Sequence, residues 1–531
     1  MIGNTMKEII YAIFLSFFLC GLCGNAEAKK KKEVKKAIKR EVQTPYDKLF
    51  KGKKAFTVNG LMKMHLMAGK VYAEFPIELL NRDLALTSSI EDISDNGEGV
   101  VGQFAGRVNQ FRFTLQDSML QARLVRRYGV KNTGMGKNAD QIIERSNTPG
   151  IFQSYKILAY TPDKKAVVVD MTELFLESSR LTNPFPSYAG NSLYGFVQRI
   201  HKFQSQRSEL LGICGNDNSM SVHCNLGFNV DRLVLGSFMQ AKDVPVSVTV
   251  NKILMLLPED PMRPRLADSR IGVNAIIQTE LPDVCQGIKT YYITKRWRIE
   301  PVDEIRYKQG EMVDVKKPIV FYIDTLMPDS WIKYVKAGAE AWNAAFEKIG
   351  LRNVVRTELF PKDSSFDAGD IHNSVIRYAP SWMYYPQYSM HTDPRTGEIL
   401  NASVYLPANV ASYFYTSRTE ETMAVDPSVR KARLSEEQFG EMFKAKMMQA
   451  IGRCLGLTDN YAASSVYPVD SLRSAKFTQK YGTTPSIMDY ARNNYVAQPG
   501  DKEIDASGCL IFPGFIDAHT HFDLHVAGTV T

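Results

Sequence analysis

The sequence predicts an α+β fold, with a β-rich amino-terminal region followed by a segment in which short strands alternate with two long helices. Three observations carry this reading. Stretches such as Ala166-Val167-Val168-Val169-Asp170 and Val246-Ser247-Val248-Thr249-Val250 alternate or run apolar at strand length between about Phe111 and Pro301. After Val302 the pattern changes to strand, long helix, strands, second long helix. The chain has 531 residues, 44% hydrophobic and 23% charged, which is the composition of an ordinary globular protein with room for several cores.

The elements follow in order. Lys7, the apolar run Ile9 to Leu22 and the small-x-small site Ala26-Glu27-Ala28 predict an export signal over residues 1–28. The run is too short for a comfortable membrane span, so no transmembrane segment is expected once the signal is removed, and the location implied is secreted, periplasmic or cell envelope. A basic linker, 29–44, comes next. Lys29 to Glu41 holds eight Lys or Arg against two Glu, a balance of +6, while the whole chain is +8. Most of the excess charge therefore sits in a solvated tract rather than on a folded face, which argues against nucleic-acid binding. Residues 45–110 read as a small β unit, with strands at Ala55-Phe56-Thr57-Val58 and Lys70 to Phe75. Residues 111–301 read as a β-rich antiparallel domain in which His201 and His223 stand isolated. Cys214 and Cys224 flank a Gly/Asn/Ser-rich loop that a disulfide can bridge in an exported chain.

From 302 to 500 the signals are sharper. Pro318 to Asp324 is an apolar strand, and Pro328-Asp329-Ser330 opens a helix that Gly350 stops. Ser374 to Tyr378 is another strand. The turn Asp393-Pro394-Arg395-Thr396-Gly397 leads into a strand at Glu398 to Leu406, which is expected to be an edge. Ser435 and Gln438 form a capping box for the second helix, with Glu436 and Glu437 in its first turn. Phe439, Met442, Phe443, Met447, Ile451, Cys454 and Leu455 make its apolar face, and Gly456 ends it in a left-handed turn.

The end of that helix has the frame H-E-x-x-H-x-x-G-x-x-H, in which two His one turn apart hold zinc, the Glu activates the bound water and Gly turns the chain toward a third ligand. Gln449 stands at the first His, Ala450 at the Glu, Arg453 at the second His and Asp459 at the third, and only Gly456 survives. Gln is a poor ligand, Ala offers no base, and Arg is a permanent cation that repels a dication. Once the frame is real, Arg453 and Asp459 converge on one point and are expected to form an ion pair there.

The stretches Ala462 to Ser474 and Lys480 to Arg492 resemble the secreted bacterial zinc-dependent metalloproteases, whose amino-terminal domains have no assigned function. Ser269-Arg270-Ile271-Gly272, Tyr292 to Arg298 and Asp393 to Ile399 are similar too, so the resemblance covers roughly residues 50 to 500. It implies a zincin-like, metzincin-type domain, with Ser486-Ile487-Met488-Asp489-Tyr490 as the turn beneath the metal and Met488 under the site; Met488 as a simple core residue is the plainer alternative. Zinc is the cofactor of intact members. With four positions changed, neither zinc nor peptidase activity is expected here.

The tail differs. Ile504 to Asp523 resembles the first barrel strand of the cyclic amidohydrolases, most closely the dihydropyrimidinase and hydantoinase group. His519 and His521 point to one side of such a strand and are the candidate metal ligands of the tail. Residues 501–531 are too few to build a core, so a truncated protease-like domain fused to an unrelated fragment is expected. The sequence thus leads to an exported pseudo-peptidase with a cleft for polypeptides. Two alternatives stay open: a metal-dependent cyclic-amide hydrolase represented by a fragment, and a non-catalytic surface or assembly protein.

Overall fold

A computed structural model describes residues 43–490 with 493, 494 and 496, apart from 126–129, 135–136, 179–180, 186–196, 235–237, 283–286, 363–365, 382 and 425. The expected export signal, nearly all of the basic linker, Cys285, and the tail with Cys509, His519 and His521 lie outside the described residues. No helix among the described residues is long and apolar enough to cross a membrane.

Two antiparallel sheets make up most of the amino-terminal half. The smaller has the spatial order Phe56–Val58, Lys63–Met67, Lys70–Pro76, Ala166–Asp170, Ala159–Tyr160. The larger has seven strands and contains Leu84–Ile93 (β1), Ser219–Val234 (β2) and Phe238–Leu256 (β3), with β3 paired to both β2 and β1. Strand alternation explains how β1 is buried on both faces. Leu84 and Leu86 join the core shared with the smaller sheet, while Ala85 turns the other way into a cluster with Phe104, Ile253 and Ile371. That second cluster is the seam with the carboxy-terminal half.

The division expected at 110/111 does not hold. The strand Phe104–Gln116 runs straight through it, β1 sits inside the larger sheet, and Ala166–Asp170 pairs with Lys70–Pro76. Strand pairing here is decided by partners far away in sequence, which local pattern does not reveal. Nor do Cys214 and Cys224 meet. Cys214 lies opposite Ser221 and Cys224 opposite Leu210; both thiols are free, and the Cys224 thiol is directed at the Phe175 carbonyl at 3.2 Å. His201 is not isolated either. Its Nε2 lies 2.8 Å from Glu98, and its ring stacks on Phe185 at 3.7 Å between centroids.

The carboxy-terminal half is built on a sheet of β4 (Ile319–Ile323), β5 (Val355–Leu359), β6 (Ser374–Ala379), β7 (Gln387–Thr392) and β8 (Ile399–Pro407) in the order β5-β4-β6-β8-β7. The first four are parallel and β7 runs antiparallel to β8. The strand expected at the edge, Ala402 to Leu406, is therefore interior: β7 covers it and is itself the edge.

Two helices pack on this sheet, α1 (Asp329–Glu340) and α2 (Glu436–Cys454). The capping box at Ser435 and Gln438 forms as the sequence requires. Phe443, Met447, Ile451 and Cys454 are fully buried, and Phe439, Met442 and Leu455 pack against them. Gly440 and Gly452 each cost the helix about 1 kcal/mol of propensity, whereas each large apolar side chain buried contributes roughly 1.5–3 kcal/mol, so packing decides that this segment is helical. Gly338 on α1 permits close crossing, because a Cβ there would collide with Met447 and the Lys444 carbonyl of α2. At the far end Gly456 has φ +101°, and a Cβ would meet the Lys295 carbonyl. The turn thus demands glycine twice over.

Candidate functional site

The last turns of α2 carry three of the four changed positions. Gln449 and Ala450 are buried, and Arg453 follows one turn beyond Gln449 on the same face. Gln449 Nε2 donates to the Asp489 carbonyl at 3.0 Å, and its Oε1 accepts from Lys446 Nζ at 3.3 Å. The amide is thereby tied to the turn below the helix. Ala450 belongs to the apolar core and places no acid or base there.

Arg453 and Asp459 meet, as the frame requires. Arg453 Nε and Nη2 donate to Asp459 Oδ1 at 3.0 and 2.7 Å, with 13% and 25% of the two side chains exposed. The guanidinium also lies 5.8 Å from the Tyr388 ring centroid and 5.6 Å from that of Tyr490, within cation–π range. Lys446 Nζ stands 5.3 Å from the Tyr490 centroid on its other contact, and Tyr461 stacks on Tyr490 at 5.7 Å. Burial, then the like charge of Arg453, lowers the Lys446 pKa below its ordinary value. Burial opposes the charge on Arg453, but its hydrogen bonds to Asp459 outweigh this and raise its pKa. Burial raises the Tyr388 pKa, against the pull of Arg453. Sequence reasoning missed Lys446, Tyr388 and Tyr461. Lys446 was within reach, since it lies two turns before Arg453 on the same face; Tyr388 arrives from β7 and carried no signal.

The turn at 486–490 packs against the end of α2. Met488 is 5% exposed, its carbonyl accepts from Asn460 N at 2.8 Å, and its amide donates to Ser486 Oγ at 3.2 Å. A Cβ on Gly452 would collide with Met488 Sδ and with the Trp342 ring, so helix and turn touch at that glycine. Three other stretches converge on the helix end. Asn274 N donates to the Gly456 carbonyl at 2.7 Å and Thr458 N to the Gly272 carbonyl at 3.0 Å. Trp297 Nε1 donates to the Cys454 carbonyl at 2.9 Å, and Arg296 N to the Gly397 carbonyl at 3.0 Å. Residues 269–274, 292–298 and 393–399 are the frame that holds the site.

Zinc is tested by the donors present. A guanidinium sits against the one carboxylate in the frame, the position one turn earlier holds an amide committed to the turn, and the neighbouring cation is Lys446. This set does not fit a zinc ion. A cavity of about 810 Å³ is lined by Trp297, Arg298, His372 and Glu398 among others and by none of the four changed residues.

Comparison with known proteins agrees with this geometry. Residues 431–510 match the family model described as Met-zincin, which spans α2 and the Met488 turn, and residues 102–302 match a domain of unknown function (DUF5117). Over residues 431–510, where the helix and the turn lie, the chain is thus similar to the Met-zincins, which supports a metalloprotease-like protein. The D-hydantoinase of Geobacillus stearothermophilus is 56% identical over 34 residues, 6% of this chain and 7% of that enzyme. The chain thus spans a small fraction of that relative's length. No solved structure matches.

Proposed function

We propose that this is an exported metalloprotease-like protein that has given up peptide hydrolysis and retains a cleft for extended polypeptides. The observation that carries this reading is the Arg453–Asp459 ion pair, which occupies the place where a metal-bound water would have to be activated, with Ala450 where the base would stand. Hydrolysis of an amide at neutral pH needs an activated nucleophile and stabilisation of the developing oxyanion. Arg453 offers the second, and among the described residues of the frame none supplies the first.

Binding is supported by β7. It is the outer strand of the sheet and passes beside Arg453, so an extended peptide can pair with its free edge while its side chains meet Tyr388, Tyr490 and the cations Arg453 and Lys446. Acidic and aromatic segments suit that lining best. The test is twofold: purified protein is incubated with casein and added zinc, and a fluorescently labelled unfolded casein is titrated by anisotropy. The expected result is saturable binding without cleavage. Zinc-dependent proteolysis overturns the inactive reading, and absence of binding overturns the cleft. Export is tested separately by sequencing the amino terminus of the mature protein, where a start near Lys29 is expected. The cyclic-amide alternative has a 34-residue match behind it and no closed barrel among the described residues.

A further inference from the structure

We propose that Glu91, His223 and Asp367 form a divalent-cation site at the seam between the seven-stranded sheet and the loop joining β5 to β6. Each residue offers one ligand atom, and the three atoms lie within 4.8 Å of one another. The sheet sets the positions. His223 on β2 faces Asn251 on β3, which faces Ser89 on β1. Glu91 is the extra residue of a bulge: Ile90 and Asp92 pair with the adjacent Val250 and Thr249, leaving Glu91 with no partner across the ladder. Bulges of this kind re-aim a side chain and are common beside functional sites. His223 Nδ1 then lies 2.8 Å from Glu91 Oε1.

Asp367 comes from the other half of the molecule and is held firmly. Asn251 Nδ2 donates to its Oδ2 at 2.8 Å, Gly369 N to its Oδ1 at 2.7 Å, and Asn373 Nδ2 to its carbonyl at 2.7 Å. Ser89 Oγ fastens the loop through the Gly369 carbonyl at 3.1 Å, and a Cβ on Gly369 would crowd that hydroxyl. Asn251 is fully buried, yet its Oδ1 has no hydrogen-bond partner among the described residues. An oxygen left so beside a carboxylate pair is costly unless something positive satisfies the cluster.

Electrostatics points the same way. Glu91, His223 and Asp370 lie close enough to Asp367 to act on it electrostatically. No Lys or Arg takes part in the hydrogen bonds or ion pairs of Glu91, His223 or Asp367 among the described residues. One imidazole with two carboxylates is the donor set of Zn²⁺ or Mn²⁺ rather than of Ca²⁺, which takes oxygens alone. The exposures of His223 and Glu91, 19% and 26%, leave room for entry and for water to complete the coordination. The bound ion takes the place of the direct His223–Glu91 contact and ties β1 and β2 to the β5–β6 loop. This site is separate from the 449–459 frame.

The experiment uses the untagged full chain, stripped with EDTA and titrated with Zn²⁺ by calorimetry, with thermal melts in parallel. Binding of about one equivalent and a zinc-dependent rise in Tm are expected. His223→Ala and Asp367→Asn each weaken binding about tenfold or more, while Arg453→Gln and the double variant His519→Ala/His521→Ala leave it unchanged. Should His223→Ala fail to fold, Glu91→Gln preserves shape and gives the same readout. No binding at micromolar zinc, binding that survives loss of His223, or binding that vanishes with His519 and His521 overturns the proposal.

Discussion

Arg453 stands where an intact zinc helix has its second histidine, and it uses two nitrogens on one oxygen of Asp459. Truncating it strands a partly buried carboxylate. Arg453→Ala is expected to destabilise the fold by about 1–3 kcal/mol, and most of that cost should disappear in the double variant with Asp459→Ala. A urea-unfolding double-mutant cycle measures it; additive losses would show that the pair is not coupled. His391 on β7 is a different case. It is fully buried against Phe104, and neither ring nitrogen has a partner among the described residues. Burial, with a smaller push from Lys295, depresses its pKa from 6.5 to about 4. The unfolded chain therefore takes up the proton first as pH falls. The contribution of neutral His391 is complete above about pH 6.5 and is lost on the way down through about pH 4, roughly 3 kcal/mol at most. His391→Leu should lose less stability than the parent between pH 7 and 4; equal acid slopes would refute this.

Helix α2 shows how much an element can announce itself. Its cap, apolar face and glycine stop are all local, set by residues within four positions of one another, and each was legible. What α2 packs against was less so. Gly452 reads as a weak helix former, yet it is the contact point for Met488 and Trp342. Gly452→Ala gains up to about 1 kcal/mol of propensity and incurs overpacking of about 1–3 kcal/mol. Trp342 cannot yield easily, because its Nε1 is bonded to the Met448 carbonyl at 2.8 Å. Net destabilisation is expected, and a raised melting temperature in the variant would show that the turn gives way instead. The edge of the sheet was misread for a related reason. Gln387–Thr392 has no strong strand pattern, so β8 looked terminal; β7 becomes a strand by pairing with it.

Across the molecule, the halves share the seam where β1, the strand Phe104–Gln116 and Ile371 pack together. The stretches around the 449–459 frame hold it in place, which gives a reconstruction test. Gln449→His, Ala450→Glu, Arg453→His and Asp459→His together should create a zinc site, whereas Arg453→His alone should not, since one imidazole and one carboxylate do not complete a tetrahedron. Zinc content is measured in an Asp367→Asn background, so that the seam does not contribute. Failure of the four-residue variant to hold zinc while still folded would mean that the frame has drifted from its ligand geometry.

Pattern along the chain was enough for the α+β class, for the ends of α2 and for the meeting of Arg453 with Asp459, because capping, amphipathic period and the spacing around a glycine turn are properties of neighbouring residues. Tertiary structure alone decided that 45–110 and 111–301 build common sheets, that β7 is the edge, and that Glu91, His223 and Asp367 come together. Those outcomes depend on which distant strands pair and on where a bulge falls. Pairing is settled by burial over the whole chain, and a histidine more than a hundred residues from its carboxylate looks solitary until the sheet closes.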